Sequence, residues 1–243
     1  MREALSERGL PLPLPAAPVA LSDHGTTVTR DGSGPAVVLI HPLGADRLVW
    51  RDVCRALSGA RTVVAPDLRG HGDAAGAPTG GIDAMGRDVR DLVELLEFEA
   101  VTLVGAGSGA QIALHAADAL GGRATSVLLA GPMAGAPAGD VPGVLVRWLS
   151  PRRLAEDGWS VRHLRDRLAR VPAEARERLE RSATGAPTPG CPMRVVVGGA
   201  DPDLAGIRTM ADALGTPVDV LADAGHLLPI EDPEGLTAAI LAR

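Results

Sequence analysis

The chain has 243 residues, of which 46% are hydrophobic and 22% charged, and its formal net charge is −6. This length suits one α/β domain with a substantial core, and the apolar content excludes a disordered chain. The negative charge argues against nucleic acid as a partner, because phosphate binding needs concentrated positive charge. The two cysteines make no disulfide framework and no segment resembles a signal or a membrane helix, so we expect a cytoplasmic protein that does not enter membranes.

The start of the chain is rich in proline. Residues 1–18 contain four prolines and predict an extended arm on the surface. Two short β-like runs follow, at residues 19–21 and 26–29. The sequence Asp-His-Gly at residues 23–25 separates them and is typical of a hairpin turn.

Continuous apolar runs of strand length then alternate with helical patterns. The predicted strands are residues 36–40, 62–65, 101–104, 126–130 and 194–197. The predicted helices are residues 46–57, 82–97, 108–120, 204–214 and 233–241. Because the strand runs are continuous rather than alternating, both of their faces must be covered, which indicates a mainly parallel sheet. The alternation predicts an α/β fold with a doubly wound sheet.

This alternation stops between residues 131 and 190, which we call the cap segment. It begins rich in glycine, proline and alanine and then becomes helical and rich in arginine. We expect it to lie as a small cap over the carboxyl ends of the strands, where such sheets bind ligands. The predicted organisation is an arm at residues 1–18, a core at residues 19–130 and 191–243, and the cap at residues 131–190.

The cap segment also carries a local charge. Residues 147–181 hold ten arginines and six acids, a local charge of +4, which leaves −10 for the rest of the chain. A basic lid over an acidic body favours an anionic substrate, such as a carboxylate or an acyl group on a phosphopantetheine carrier. The alternative is a solvated helical face with ion pairs four residues apart, and we favour that alternative. The sequence indicates no oligomeric state.

Five loops that follow predicted strands carry distinctive motifs in chain order. They are HPLG at residues 41–44, DLRGHG at 67–72, LVGAGSGA at 103–110, VGGADP at 197–202, and AGH at 224–226 with EDPE at 231–234. Together they resemble the α/β-hydrolase superfamily over about residues 19–243, most closely its small esterases and enol-lactonases. The resemblance implies a mostly parallel sheet flanked by helices with a short helical cap. It also implies a small acyl, lactone or polyketide-like substrate of secondary metabolism and no cofactor.

The nucleophile elbow of this family reads G-x-S-x-G and lifts a serine above the sheet. The ungapped match places Gly105 and Gly109 at the flanking glycines, and Gly107 then stands at the position of the nucleophile. The end of the strand before this motif and the apolar face of the helix after it both fit without an insertion. The sequence therefore departs from the family at the one residue that performs covalent catalysis.

The other catalytic positions of the family are present. Asp201 matches the acid and His226 the general base, and a carboxylate on one imidazole nitrogen fixes the tautomer that catalysis needs. The backbone N–H groups of Leu43 and Ser108 match the oxyanion hole. Since these donors belong to the main chain, the loss of the serine leaves the hole in place.

Three interpretations of Gly107 stay open. We favour an enzyme without a covalent intermediate, in which His226 either activates water or deprotonates the substrate in a lyase, cyclase or isomerase reaction. In the second interpretation Ser108 is the nucleophile of an ordinary ester, thioester or lactone hydrolase. A shift of one residue on a helix turns the side chain by roughly 100°, which weighs against it. In the third the chain is a non-catalytic relative that binds a ligand.

The remaining candidates have structural interpretations. We expect His41 and Asp67 to support their loops, against the alternative that Asp67 and His71 form a second acid–base pair. We place His163 at an exposed helix position. No set of residues has metal-ligand spacing, so we predict no metal. Residues 105–110 fit a loose dinucleotide fingerprint, but residues 125–132 lack the acid that binds the ribose, which disfavours a nicotinamide enzyme.

Overall fold

The computed structural model describes residues 14–74, 81–133, 141–170 and 186–242. Its strands form one eight-stranded sheet in the order β1-β2-β4-β3-β5-β6-β7-β8. The strands are β1 (Ala16–Ala20), β2 (Gly25–Asp31), β3 (Ala36–Ile40), β4 (Thr62–Pro66), β5 (Val101–Ala106), β6 (Ala124–Ala130), β7 (Met193–Gly198) and β8 (Val218–Leu221). The β1–β2 and β2–β4 pairs are antiparallel and the others are parallel, which confirms the predicted mostly parallel α/β sheet.

Helices connect the strands and cover the sheet. In the described ranges they are α1 (Arg51–Leu57), α2 (Gly81–Leu95), α3 (Gly109–Leu120), α4 (Val141–Trp148), α5 (Pro151–Glu156), α6 (Trp159–Arg170), α7 (Leu204–Ala213), α8 (Leu228–Glu231) and α9 (Pro233–Leu241), with short 3-10 turns at Arg47–Trp50 and Gly121–Arg123. No helix in these ranges combines the length and the apolar character needed to cross a membrane.

The central strands are apolar throughout because both of their faces are buried. In β3, Val38 and Ile40 pack into a core with α2, α3 and α7, whereas Val37 and Leu39 pack into a second core with α1 and α9. Successive side chains of a strand point to opposite faces, so a strand between two helical layers needs apolar residues at every position. The two cores fix the sheet and therefore fix the loops at its carboxyl edge.

The edges of the sheet differ from the sequence prediction. Strand β1 begins at Ala16, inside the predicted arm, and Pro18 lies opposite Thr27 in the β1–β2 pairing. A proline is tolerated there because β1 is an edge strand with one neighbour. At the other edge, β8 was not predicted, since its sequence VDVL is short, half-exposed and interrupted by Asp219. Residues 1–13 of the predicted arm lie outside the described residues.

The described part of the cap segment contains α4, α5 and α6. The Leu227 N–H, in the loop after β8, donates to the Trp148 carbonyl at the end of α4 over 2.9 Å. Side chains of α4 and α6 also contact the loops after β7 and β3, as described below. These contacts place the described cap helices over the carboxyl edge of the sheet.

Candidate active site

Gly107 forms the turn between β5 and α3. Its φ is +55°, a conformation that glycine adopts freely and other residues rarely adopt. A Cβ atom at this position would lie 3.8 Å from His226 Nε2 and 3.1 Å from the Pro42 Cβ. The turn is tight, because a Cβ at Gly105 would approach the Gly109 carbonyl oxygen to 2.1 Å. A side chain at residue 107 would therefore extend toward Pro42 and the His226 imidazole.

His226 lies in the loop between β8 and α8 and is 2% exposed. Its Nδ1 is 2.8 Å from Asp201 Oδ2, and the other carboxylate oxygen of Asp201 accepts the Asp203 N–H at 2.8 Å. The carboxylate therefore accepts a hydrogen bond from Nδ1–H, which places the lone pair of the neutral imidazole on Nε2. Nε2 is buried and has no hydrogen-bond partner in the described part of the chain. The predicted acid and base are thus in contact, and the free nitrogen faces Gly107.

Ser108 forms no hydrogen bond with the imidazole in the described part of the chain. Its Oγ accepts a hydrogen bond of 2.9 Å from the Leu43 N–H, and its side chain is buried at 2% exposure. The backbone of Ser108 is helical, with φ −65° and ψ −19°, where α3 begins. The two-amide hole expected from the sequence is therefore changed: the Leu43 N–H is already engaged by a hydroxyl. The Ser108 N–H, in contrast, meets no acceptor within the described ranges.

His41 braces the loop that carries Leu43. Its Nδ1–H donates to the Pro42 carbonyl over 2.8 Å, and its Nε2 accepts the Leu68 N–H at 3.0 Å. The imidazole thereby joins the loop after β3 to the loop after β4. Burial, reinforced by the charge of His71, lowers the pKa of His41 from its usual value near 6.5 to about 3. His41 is therefore held neutral while it bridges these two loops.

We expect His41 to make the fold sensitive to acid. The unfolded chain binds a proton at His41 near pH 6.5 and the folded chain only near pH 3, so stability falls as the pH drops from about 6.5 toward 3. One such group contributes a slope of about 1.4 kcal/mol per pH unit. Urea unfolding at pH 6.5 and pH 5 should show the His41→Gln variant losing about 2 kcal/mol less than the wild type over this interval. Equal losses would contradict this role.

The Asp67 carboxylate pairs with Arg47 and not with a histidine. Its carboxylate accepts the backbone N–H groups of Arg47 and Asp73, each at 2.8 Å, and it forms an ion pair with the Arg47 guanidinium. His71 Nδ1 instead contacts the Arg69 carbonyl at 2.9 Å. The alternative of an Asp67–His71 acid–base pair therefore has no contact to support it. These contacts of Asp67 join the loop after β4 to Arg47 in the loop after β3.

Glu231 joins the cap segment to the His226 loop, a role that the sequence analysis missed. One carboxylate oxygen accepts the Ser150 N–H at 2.8 Å. The other accepts the Ser150 hydroxyl at 2.8 Å and the Gly225 N–H at 3.2 Å. Glu231 is 2% exposed, so its carboxylate, and not bulk water, is the acceptor for these donors. The EDPE motif contained the residue, but its sequence carried no sign of these partners.

We expect the Glu231→Ala variant to lose about 3 kcal/mol of unfolding free energy, because it leaves several buried donors without an acceptor. Chemical denaturation measures this loss. The matched control is Glu99→Ala, since Glu99 is exposed, and its change should stay within about 0.5 kcal/mol. Similar stabilities for the two variants would show that the Glu231 contacts do not hold the cap.

A second link joins α6 to the loop after β3. The buried Asp46 carboxylate accepts His163 Nε2 at 2.9 Å and Arg167 Nε at 2.7 Å, and also caps the Leu48 N–H. Burial pushes the pKa of Asp46 up, but the hydrogen bond and charge of His163 and the charge of Arg167 outweigh it and lower the pKa. The expectation that His163 is exposed was wrong: its side chain is 15% exposed and stacks on Trp159. The helical pattern alone gave no sign of the acid that turns it inward.

A third link joins α4 to the loop that carries Asp201. The Arg147 guanidinium donates to both carboxylate oxygens of Asp203, at 2.7 and 2.6 Å. Other cap arginines in the described ranges also meet acids. These pairs are Arg153 with Glu156, Arg162 and Arg165 with Asp157, and Arg167 with Asp46. The positive charge of the described cap is therefore largely neutralised within the protein.

Within the described residues, two groups of histidine and carboxylate side chains lie close enough to share a cation. They are Asp201 with Asp203 and His226, and Asp23 with His24 and Asp88. Arg147 already occupies Asp203 in the first group, and Arg69 occupies Asp88 in the second. Since a protein cation serves each group, we assign no metal to either.

Known proteins share this architecture. The structure superposes on an enol-lactonase from Burkholderia xenovorans with a TM-score of 0.79 and 25% sequence identity, over 93% of this chain and 98% of that one. A soluble epoxide hydrolase of Corynebacterium is 41% identical over 86 residues, 35% of this chain and 30% of the relative. An uncharacterized protein of Mycobacterium tuberculosis is 39% identical over 85 residues, 35% of this chain and 25% of the relative.

The chain matches these curated relatives over less than a third of their own length, so the sequence similarity covers only one segment of them. The match to the family itself is broader. Residues 37–239 fit the alpha/beta hydrolase family, a range that runs from β3 into α9 and includes every loop described above. The fold and the resemblance drawn from the five motifs are confirmed: the chain belongs to the alpha/beta hydrolase family.

Proposed function

We propose that this protein hydrolyses a small acyl or lactone substrate by general-base catalysis, with water in place of a serine nucleophile. The observation that carries the proposal is the free Nε2 of His226, which faces a glycine at the elbow. We place the reacting water beside the imidazole, where a Cβ at residue 107 would lie 3.8 Å from Nε2. Proximity and orientation of this kind can replace a covalent step.

The proposed reaction runs in two proton transfers. His226 Nε2 takes a proton from the water, whose oxygen forms a bond to the carbonyl carbon of the substrate. The Asp201 carboxylate stabilises the imidazolium that results. The carbonyl oxygen becomes an oxyanion at the amino-terminal end of α3, beside the Ser108 N–H. When the intermediate collapses, His226 returns the proton to the departing alkoxide, and the products are a carboxylic acid and an alcohol.

The alternative of a serine hydrolase is weakened by the position of Ser108. A nucleophilic serine needs its hydroxyl within hydrogen-bond reach of the base. The Ser108 hydroxyl instead meets the Leu43 N–H, and no hydrogen bond joins it to His226. The retention of an intact Asp201–His226 pair also favours catalysis over the alternative of ligand binding alone.

The surroundings favour an apolar acyl group. A cavity of about 290 Å³ lies between α3 and α7, with Ala110, Leu114, Leu129 and Met210 among its lining residues. Gly107, Asp201 and His226 do not line this cavity, and Ala110, the second residue of α3, is its lining residue nearest to Gly107 in the chain. Hydrophobic pockets with few polar groups are typical of small-molecule sites. The apolar lining of this cavity is compatible with a short acyl chain, whereas the described cap arginines that could bind an anionic or carrier-bound substrate are largely paired with acids.

Two free thiols support our assignment of the protein to the cytoplasm. Cys54 and Cys191 are unpaired, and burial raises the pKa of the Cys54 thiol to about 12. A reducing compartment maintains such thiols. We place the activity in the metabolism of small acyl or lactone compounds, secondary metabolites included, in line with the enol-lactonase named above.

The kinetics of product release test the proposal. Stopped-flow hydrolysis of p-nitrophenyl butyrate should release p-nitrophenol linearly, and methanol should trap no methyl ester, because no acyl-enzyme forms. Dihydrocoumarin provides the corresponding lactone. A burst close to the enzyme concentration would show a covalent intermediate and overturn the mechanism. Failure to turn over either probe in a His226-dependent manner would overturn the function.

A further inference from the structure

The contact between Ser108 and Leu43 has a chemical consequence for the proposed site. A hydroxyl has one donor and two acceptor positions. The Ser108 Oγ accepts the Leu43 N–H at 2.9 Å, which uses one acceptor position and leaves the hydroxyl proton to donate elsewhere. No acceptor for this proton occurs among the residues that the structure describes, although the side chain is 2% exposed. This hydroxyl proton is therefore available to an oxygen atom of a bound ligand.

The hydroxyl joins the two segments that border Gly107. Pro42 precedes Leu43 and is the nearest neighbour of the side-chain direction at Gly107, at 3.1 Å from the Cβ position. Ser108 follows Gly107 and begins α3, whose first N–H groups and dipole favour negative charge. The Ser108 hydroxyl and N–H therefore share one small region with the site at His226.

We propose that the Ser108 hydroxyl is itself an oxyanion donor in this protein. The hydroxyl and the N–H of Ser108 donate to the substrate oxygen, and the Leu43 N–H donates to Oγ from behind. A hydroxyl that accepts a hydrogen bond becomes a stronger donor, since linked hydrogen bonds polarise one another. The ligand class is a carbonyl-derived oxyanion or a tetrahedral anionic group. The catalytic part of this inference rests on the proposed function, but the binding part can be measured without turnover.

A competing role predicts the opposite result. The hydroxyl could instead only occupy the oxyanion hole and block the Leu43 N–H. Its removal would then free the Leu43 N–H for the substrate, so Ser108→Ala would bind oxyanions at least as well as the wild type. If the hydroxyl is a donor, Ser108→Ala loses one donor and leaves Leu43 out of reach. The two roles therefore change affinity in opposite directions.

The experiment uses benzylphosphonate, a tetrahedral anion, as the probe in isothermal titration calorimetry. We expect Ser108→Ala to bind it about tenfold more weakly than the wild type, and Ser108→Cys to fall between them, because a thiol is a similar but weaker donor. The control is Ser58→Ala, at the end of α1, which should bind like the wild type. Equal or tighter binding by Ser108→Ala would overturn the proposal, and a circular-dichroism melt establishes that each variant is folded.

Kinetics separate this inference from the proposed function. The kcat/KM of Ser108→Ala for p-nitrophenyl butyrate should fall about 30-fold, mostly in kcat, which is the scale of one oxyanion donor. A loss above about 1,000-fold together with a p-nitrophenol burst in the wild type would identify Ser108 as a nucleophile and overturn both proposals. If the wild type lacks His226-dependent turnover but binds benzylphosphonate through Ser108, the proposed function fails and the oxyanion site remains.

Discussion

The His226→Ala variant is expected to lose about 10³-fold or more in kcat/KM for p-nitrophenyl butyrate and dihydrocoumarin, the largest effect of any single substitution considered. Among the three described atoms nearest to the Cβ direction at Gly107, His226 Nε2 is the only base, and its orientation depends on the 2.8 Å contact with Asp201. Steady-state kinetics on purified variants measure the loss. The Asp201→Asn variant should lose about 10²-fold or more, because an amide no longer fixes the required tautomer.

A matched control separates catalysis from packing. His71 is also buried, at 3% exposure, but its Nδ1 contacts the Arg69 carbonyl in a different loop. The His71→Gln variant should keep kcat/KM within about threefold of the wild type, since its effect is confined to stability. If His226→Ala retained wild-type turnover, no general-base mechanism at this site would survive. If neither the wild type nor His226→Ala turned over the substrates and both bound a ligand with the same affinity, the result would indicate the non-catalytic alternative.

The Gly107→Ala variant should lose about 100-fold in kcat/KM. Its Cβ would lie 3.8 Å from His226 Nε2 and 3.1 Å from the Pro42 Cβ, which displaces the reacting water by about an ångström. Kinetics as above measure the loss. The variant also places alanine at a φ of +55°, which costs about 1–2 kcal/mol of stability.

Gly121 offers the control for that backbone strain. It has the same φ of +55°, but a Cβ there meets no atom within 4 Å. The Gly121→Ala variant should lose a similar amount of stability and no activity. Should Gly107→Ala keep the activity of Gly121→Ala, the water would not lie over residue 107, and the proposed mechanism would lose its main support.

The central fold was predictable because its signals are local. Continuous apolar runs identified the five parallel strands β3 to β7, since each strand is buried on both faces. Strand β8 was not predicted because an edge strand is half-exposed and needs no such run. The helix at residues 46–57 was predicted as one element, but the structure begins it with a 3-10 turn at Arg47–Trp50.

The candidate site was predictable only in part. Its motifs identified Gly107, Asp201 and His226, whose positions follow from the order of the loops along the sheet. The Ser108–Leu43 contact joins residues 65 positions apart and depends on a rotamer. The Glu231–Ser150 and Asp46–His163 contacts span 81 and 117 positions. Contacts of this kind arise from tertiary packing, so no local sequence pattern predicts them.

Covalent labelling with a fluorophosphonate probe tests the central claim most directly. Such probes react with an activated serine beside a base, and intact-mass spectrometry detects the adduct. The Gly107→Ser variant is the matched comparison, because its hydroxyl would extend from a Cβ 3.8 Å from His226 Nε2. We expect no adduct on the wild-type chain and an adduct on Gly107→Ser. A stoichiometric adduct on the wild type that disappears in Ser108→Ala would contradict the account and identify a serine hydrolase with a displaced nucleophile.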